Sequence, residues 1–63
     1  MTFKELRKSK NLSITELGFM LGVSNATVSS WDNGKVPEPL MIKDLAIYLN
    51  STEEEIRDCF RRN

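Results

Sequence analysis

The side chains with chemistry to offer in this sequence are amides and hydroxyls. Histidine is absent, and the single cysteine, Cys59, has no imidazole partner anywhere in the chain. General acid–base and nucleophilic constellations draw on such groups. A chain of 63 residues is also too short to wall a deep, dry pocket around a pair of carboxylates. An enzyme is therefore not expected, and neither is a metal or other cofactor, since the residue types form no ligand cluster. The unusual run is residues 25–32, Asn-Ala-Thr-Val-Ser-Ser-Trp-Asp. On a helix, Asn25, Ala26, Ser29 and Ser30 fall at i, i+1, i+4 and i+5, while Val28 and Trp31 point together to the other side. Asn, Thr and Ser are weak helix formers. What they present instead is a compact face of hydrogen-bonding groups.

That face needs elements to hold it. Ser24 is a good N-cap for a helix over 25–32, and Asn33-Gly34 ends it. Before it, Ser13 stands three residues ahead of Glu16, a capping box that starts a helix at Ile14. Ile14, Leu17 and Leu21 form its apolar stripe, and Gly22 supplies a left-handed end. Thr2 with Glu5 starts a first helix over about 3–10, closed by Asn11, with Phe3 and Leu6 on one side. Val36-Pro37-Glu38-Pro39 reads as a loop, because two prolines bar regular hydrogen bonding. Pro39 opens a fourth helix, apolar around much of its circumference from Leu40 to Leu49 and expected to be the most buried element, with Asn50 closing it. Thr52 with Glu55 starts a fifth, docked by Ile56 and Phe60. Its acids sit at the positive end and Arg61-Arg62 at the negative end, with Glu53/Arg57 and Asp58/Arg62 as i, i+4 pairs on a solvated face. The fold class is all-α, one small domain over 1–63 that buries about 60% of its unfolded surface.

Charge is neutral overall but divided along the chain. Residues 1–43 hold six bases against four acids, and residues 44–63 three bases against five acids. So mild an asymmetry neither demands nor forbids a nucleic-acid partner. No apolar stretch approaches the roughly 20 residues that span a bilayer, and the N-terminus turns polar at once. A cytoplasmic, reduced protein without a membrane partner is the expectation.

Helices 14–21 and 25–32, joined by Gly22-Val23-Ser24, form a helix-turn-helix at about 14–33. Such a unit sets its second helix in the DNA major groove, about 12 Å wide, where compact polar side chains meet base edges. The run Leu6-Arg7, Leu12-Ser13-x-x-Glu16-Leu17, Leu21-Gly22-Val23-Ser24, Val28-Ser29-x-Trp31-Asp32-Asn33-Gly34-Lys35 and Leu45-Ala46-x-x-Leu49 resembles the lambda-repressor-like helix-turn-helix family. This is the Cro and lysogeny-repressor class of XRE-type phage, plasmid and bacterial regulators, and the resemblance covers nearly the whole chain.

The resemblance implies a compact bundle of four or five helices. It implies base-edge contacts by Asn25, Ala26 and Ser30, with Ser29 close by, and phosphate contacts by Thr27, Asn33 and Lys35. It also implies an internal salt bridge between Arg7 and Asp32. Chemistry supports the first group independently, since Asn bonds adenine bidentately, Ser serves either base class and an alanine methyl meets thymine. The expected partner is double-stranded operator DNA, bound by a homodimer across two half-sites, and the expected role is Cro-like repression by occupancy.

Departures from the family pattern temper this. Ile14 stands where a glutamine usually contacts phosphate and braces the recognition helix. Gly18 stands where alanine is usual, either to admit close helix approach or as a tolerated cost. The loop Lys35-Val36-Pro37-Glu38-Pro39-Leu40 is less basic than usual, which points to modest monomer affinity and greater reliance on dimerisation. Phe19 and Met20 occupy positions that are commonly polar, and read either as extra core packing or as contact with a partner. Ile47, Cys59 and Phe60 are further candidates for a protein interface, Cys59 otherwise being a small buried hydrophobe. Neutral charge, Ile14 and the acidic proline-rich loop fit a rival reading, a protein-interaction module such as an antirepressor or antitoxin-like partner.

Overall fold

The computed structural model describes residues 1–61, which form five helices: α1 Phe3–Ser9, α2 Ile14–Leu21, α3 Asn25–Asp32, α4 Pro39–Tyr48 and α5 Glu53–Asp58. There is no strand among the described residues.

Each boundary has a local cause. Thr2/Glu5, Ser13/Glu16 and Thr52/Glu55 form reciprocal capping boxes at the starts of α1, α2 and α5. In each, the glutamate accepts from the backbone N–H of the cap residue at 2.7, 3.0 and 2.9 Å respectively. Those backbone bonds, and then the hydroxyl contacts, hold all three glutamates below the usual carboxylate range. The Ser24 hydroxyl accepts from the Thr27 N–H at 3.2 Å and starts α3. α4 has no side-chain cap, but Pro39 at its first turn has no N–H to satisfy.

Four helices end alike, on a left-handed residue: Asn11 (φ 59°), Gly22 (φ 72°), Gly34 (φ 102°) and Asn50 (φ 52°). At Gly22 the Val23 N–H bonds the Gly18 carbonyl at 2.9 Å and the Gly22 N–H bonds that of Phe19 at 3.3 Å. These are the paired closing bonds of a helix that stops and turns. Glycine takes this conformation without the penalty a Cβ imposes.

Phe3, Leu6, Leu17, Val28, Trp31, Ile42, Leu45, Ala46, Leu49 and Ile56 make one core drawn from all five helices. Phe3 is its hub: it meets Trp31 edge-on at 5.9 Å and stacks on Phe60 at 5.6 Å.

Two expectations need correction. α4 is not buried around its circumference; only Ile42, Leu45 and Ala46 are, while Leu40, Ile47 and Tyr48 face solvent. The bundle covers one side of α4 and leaves the other bare. α5 is also shorter than its charge pattern suggested. Glu53 and Arg57 pair at 3.2 Å, but Asp58 ends the helix and is bonded at 3.0 Å by Arg61. The expected Asp58/Arg62 pair lies outside the described residues.

Candidate nucleic-acid interface

α2 and α3 approach closely because Gly18 has no side chain. A Cβ built there meets the Val23 carbonyl oxygen at 2.9 Å and Val28 Cγ2 at 3.6 Å. The first of these is backbone and cannot swing away. Gly18 is therefore the close-approach residue of the turn, which resolves the two readings of that position.

The far end of α3 is tied to α1. The Arg7 guanidinium donates to both Asp32 oxygens, Nη2 to Oδ2 at 2.8 Å and Nε to Oδ1 at 3.3 Å. Nη1 donates to the Leu12 carbonyl at 2.8 Å. Both side chains are almost fully buried. α3 is thus fixed by Gly18 at its start, by Val28 and Trp31 along its back, and by Arg7 at its end.

What α3 turns outward is short and mostly polar. Asn25 and Ala26 are exposed; Thr27, Ser29 and Ser30 are half-buried. Asn25 is not a free amide, since its Nδ2 donates to Thr15 Oγ1 of α2 at 3.2 Å. One N–H of the amide is left for another partner, while Oδ1 is turned toward Gly18, 3.4 Å from a Cβ placed there. The Thr27 hydroxyl shares a hydrogen bond with Ser24 at 3.0 Å, and the Ser30 hydroxyl donates to the Thr27 carbonyl at 2.6 Å. Both hydroxyls retain acceptor capacity.

Thr27, Ser30 and Lys35 also line one open cleft of about 280 Å³ between α3 and the loop leading to α4. Buried Pro37 and exposed Glu38 line it as well. The structure therefore gathers the expected residues into two groups. Asn25, Ala26 and Ser29 lie on the outer face of α3, and Thr27, Ser30 and Lys35 around the cleft. Asn33, the C-cap of α3, is exposed and does not line the cleft.

Thr15 escaped the reading of the sequence, which noted Ile14 in place of a bracing glutamine. A hydroxyl one position further on, ten residues from Asn25, was the available signal. Thr15 supplies a link from α2 to α3 that the Ile14 side chain has no polar atom to make.

The remaining candidates are scattered. Phe19 is 89% exposed, so the core-packing reading of that residue is wrong; its partner-contact reading stays open. Met20 is marginally exposed and Ile47 largely so. Cys59 and Phe60 are half-buried against the core. Burial pushes the Cys59 thiol up, which disfavours the thiolate a nucleophile needs.

Residues 3–56 match the helix-turn-helix family. The chain is also 38% identical over 55 residues to the uncharacterized HTH-type transcriptional regulator RghRB of Bacillus subtilis (strain 168). That alignment takes in 84% of this chain and 40% of the relative, so the chain spans about two-fifths of the length of the curated relative it matches. No solved structure matches it. Five helices around a glycine-tightened turn, over the residues that match, leave one assignment: the chain belongs to the lambda-repressor-like helix-turn-helix family.

Proposed function

We propose that this chain is a sequence-specific DNA-binding transcriptional regulator of the Cro-like repressor type. It lays α3 in the major groove of double-stranded operator DNA and acts as a homodimer on two half-sites about one helical turn apart. The carrying observation is that α3, held at both ends and along its back, shows outward only Asn25, Ala26 and small hydroxyl residues. A groove about 12 Å wide admits a helix whose outer side chains are this short.

In this reading Asn25, Ala26, Ser29 and Ser30 meet base edges. Asn25 offers the donor–acceptor pair that adenine takes, and the Ala26 methyl meets a thymine methyl. Thr27, Asn33 and Lys35 meet phosphates and set the register without carrying sequence. Occupancy of an operator blocks transcription with no further chemistry, which is why repression is preferred. Support from relatives runs the same way, since the Bacillus subtilis relative is described as an HTH-type transcriptional regulator.

The test is a fluorescence-anisotropy titration against duplexes selected from a random pool. The regulator requires a selected consensus that binds more tightly than scrambled duplex and weakens as salt rises. Equal, negligible binding to every duplex at low salt favours the second reading, a protein-interaction module. Phe19, a large aromatic left 89% exposed on α2, is the observation on that side.

A further inference from the structure

We infer that Thr15 sets how sharply Asn25 discriminates its base, by holding the Asn25 amide on α2 until a matching base draws it away. Thr15 is the second residue of α2 and Asn25 the first of α3. Asn25 Nδ2 donates to Thr15 Oγ1 at 3.2 Å. Its Oδ1 is turned toward Gly18, 3.4 Å from where a Cβ of that residue would stand. Thr15 and Gly18 are three residues apart and share one face of α2, so the amide lies along that face.

An adenine edge asks for a different arrangement. It presents its N6 amino group as donor beside N7 as acceptor, and asparagine answers with Oδ1 and Nδ2 turned to the same partner. In the free chain Oδ1 faces Gly18 and one Nδ2 hydrogen is taken by Thr15. Reading adenine therefore requires the amide to turn about its Cβ–Cγ bond and leave the Thr15 hydroxyl. Thr15 Oγ1 is the amide's one hydrogen-bond partner among the described residues, so a single substitution frees it.

Thr15 and the base thus compete for one group. A mismatched base leaves Asn25 on Thr15 with its hydrogen bond intact. A matching base gains two bonds less the one given up, and its apparent affinity falls with the fraction of chains whose amide is free. One net hydrogen bond in water shifts that fraction roughly two- to tenfold. Thr15 thereby narrows the gap between matched and mismatched duplexes and lets one chain occupy operators that differ at this position. Its role rests on the base reading of the proposed function and goes beyond it, since Thr15 itself reads no base.

The experiment titrates wild type, Thr15→Val and Thr15→Ser by fluorescence anisotropy. The duplexes are the one selected from a random pool and its variants at the position that Asn25→Ala identifies. The quantity read is the ratio of matched to mismatched affinity, in which a uniform change in phosphate contacts cancels. Thr15 is exposed and outside the Ser13/Glu16 capping box, so the fold tolerates both changes. Thr15→Val raises the ratio roughly two- to tenfold. Thr15→Ser keeps the hydroxyl and stays within about twofold of wild type. The double variant T15V/N25A has the same ratio as Asn25→Ala alone, because the gain passes through the amide. Without DNA, NMR shows the Asn25 side-chain N–H protons exchanging faster with solvent in Thr15→Val than in wild type or Thr15→Ser.

A ratio that falls in Thr15→Val makes Thr15 a brace that presents Asn25 to the base, and overturns the inference. So does an unchanged ratio, a gain that survives Asn25→Ala, or unaltered exchange of the Asn25 amide. These failures leave a wild type that still prefers its selected duplex, and the regulator stands. A wild type with no preference among duplexes instead counts against the regulator, and the role of Thr15 falls with it.

Discussion

Arg7 and Asp32 are joined by two near-parallel hydrogen bonds of 2.8 and 3.3 Å, with side chains only 6% and 7% exposed. The pair welds the first helix to the last turn of α3, and the third guanidinium nitrogen clasps the Leu12 carbonyl that leads into α2. One side chain thereby sets the position of both helices of the helix-turn-helix. A buried pair of this kind confers little net stability against an apolar replacement, yet losing one partner strands a charge. Arg7→Ala is expected to cost about 3–5 kcal/mol, read from urea unfolding. A cost below about 1 kcal/mol places the pair in the class of surface bridges and contradicts its structural role.

Gly18→Val forces a branched side chain against the Val23 carbonyl, which a Cβ already meets at 2.9 Å. Overpacking of this sort costs about 1–3 kcal/mol. Chemical denaturation should show that loss, and NMR shifts should move most in Gly22-Val23-Ser24. Unchanged stability means the turn opens freely and does not fix the approach of α2 to α3.

The capping glutamates give stability a defined acid limb. Glu5, Glu16 and Glu55 are bonded as carboxylates, so their folded values lie below their unfolded ones, near 4.3. A depressed carboxylate contributes stability that is complete above the unfolded value and lost as pH falls through the folded one. The triple variant E5Q/E16Q/E55Q keeps the capping geometry without titrating. Its melting temperature should fall below wild type at neutral pH, and the gap should close below about pH 4. A gap constant down to pH 2 rules out titration of these groups as its source.

Lys35 lines the cleft, exposed and outside α3. Lys35→Ala should weaken binding to all duplexes alike and reduce the salt slope by about 1. A change in base preference instead moves Lys35 from the phosphates to the bases.

Helix ends were legible in the sequence because caps are local. Thr2/Glu5, Ser13/Glu16 and Thr52/Glu55 act within four residues, and the left-handed ends use asparagine or glycine. Burial was less legible wherever apolar residues outnumber the inward positions. Leu40, Ile47 and Tyr48 share a helix with Ile42 and Leu45, and hydropathy cannot say which side its neighbours cover. Phe19 stands two residues beyond Leu17, more than half a turn round α2, and Leu17 already holds the inward position. The Asn25–Thr15 bond required the angle between two helices, which no local pattern specifies. Of the candidate interface, the residue types could be read in advance; the placing of Ser30 in the cleft with Thr27 and Lys35, apart from Asn25, Ala26 and Ser29, could not.

The most direct measurement is base preference in wild type and Asn25→Ala, titrated in parallel against the selected duplex and its single-position variants. Base reading by α3 predicts that Asn25→Ala costs about 1–3 kcal/mol on the selected duplex and abolishes discrimination at one position per half-site. An equal loss on every duplex, with discrimination preserved throughout, contradicts it.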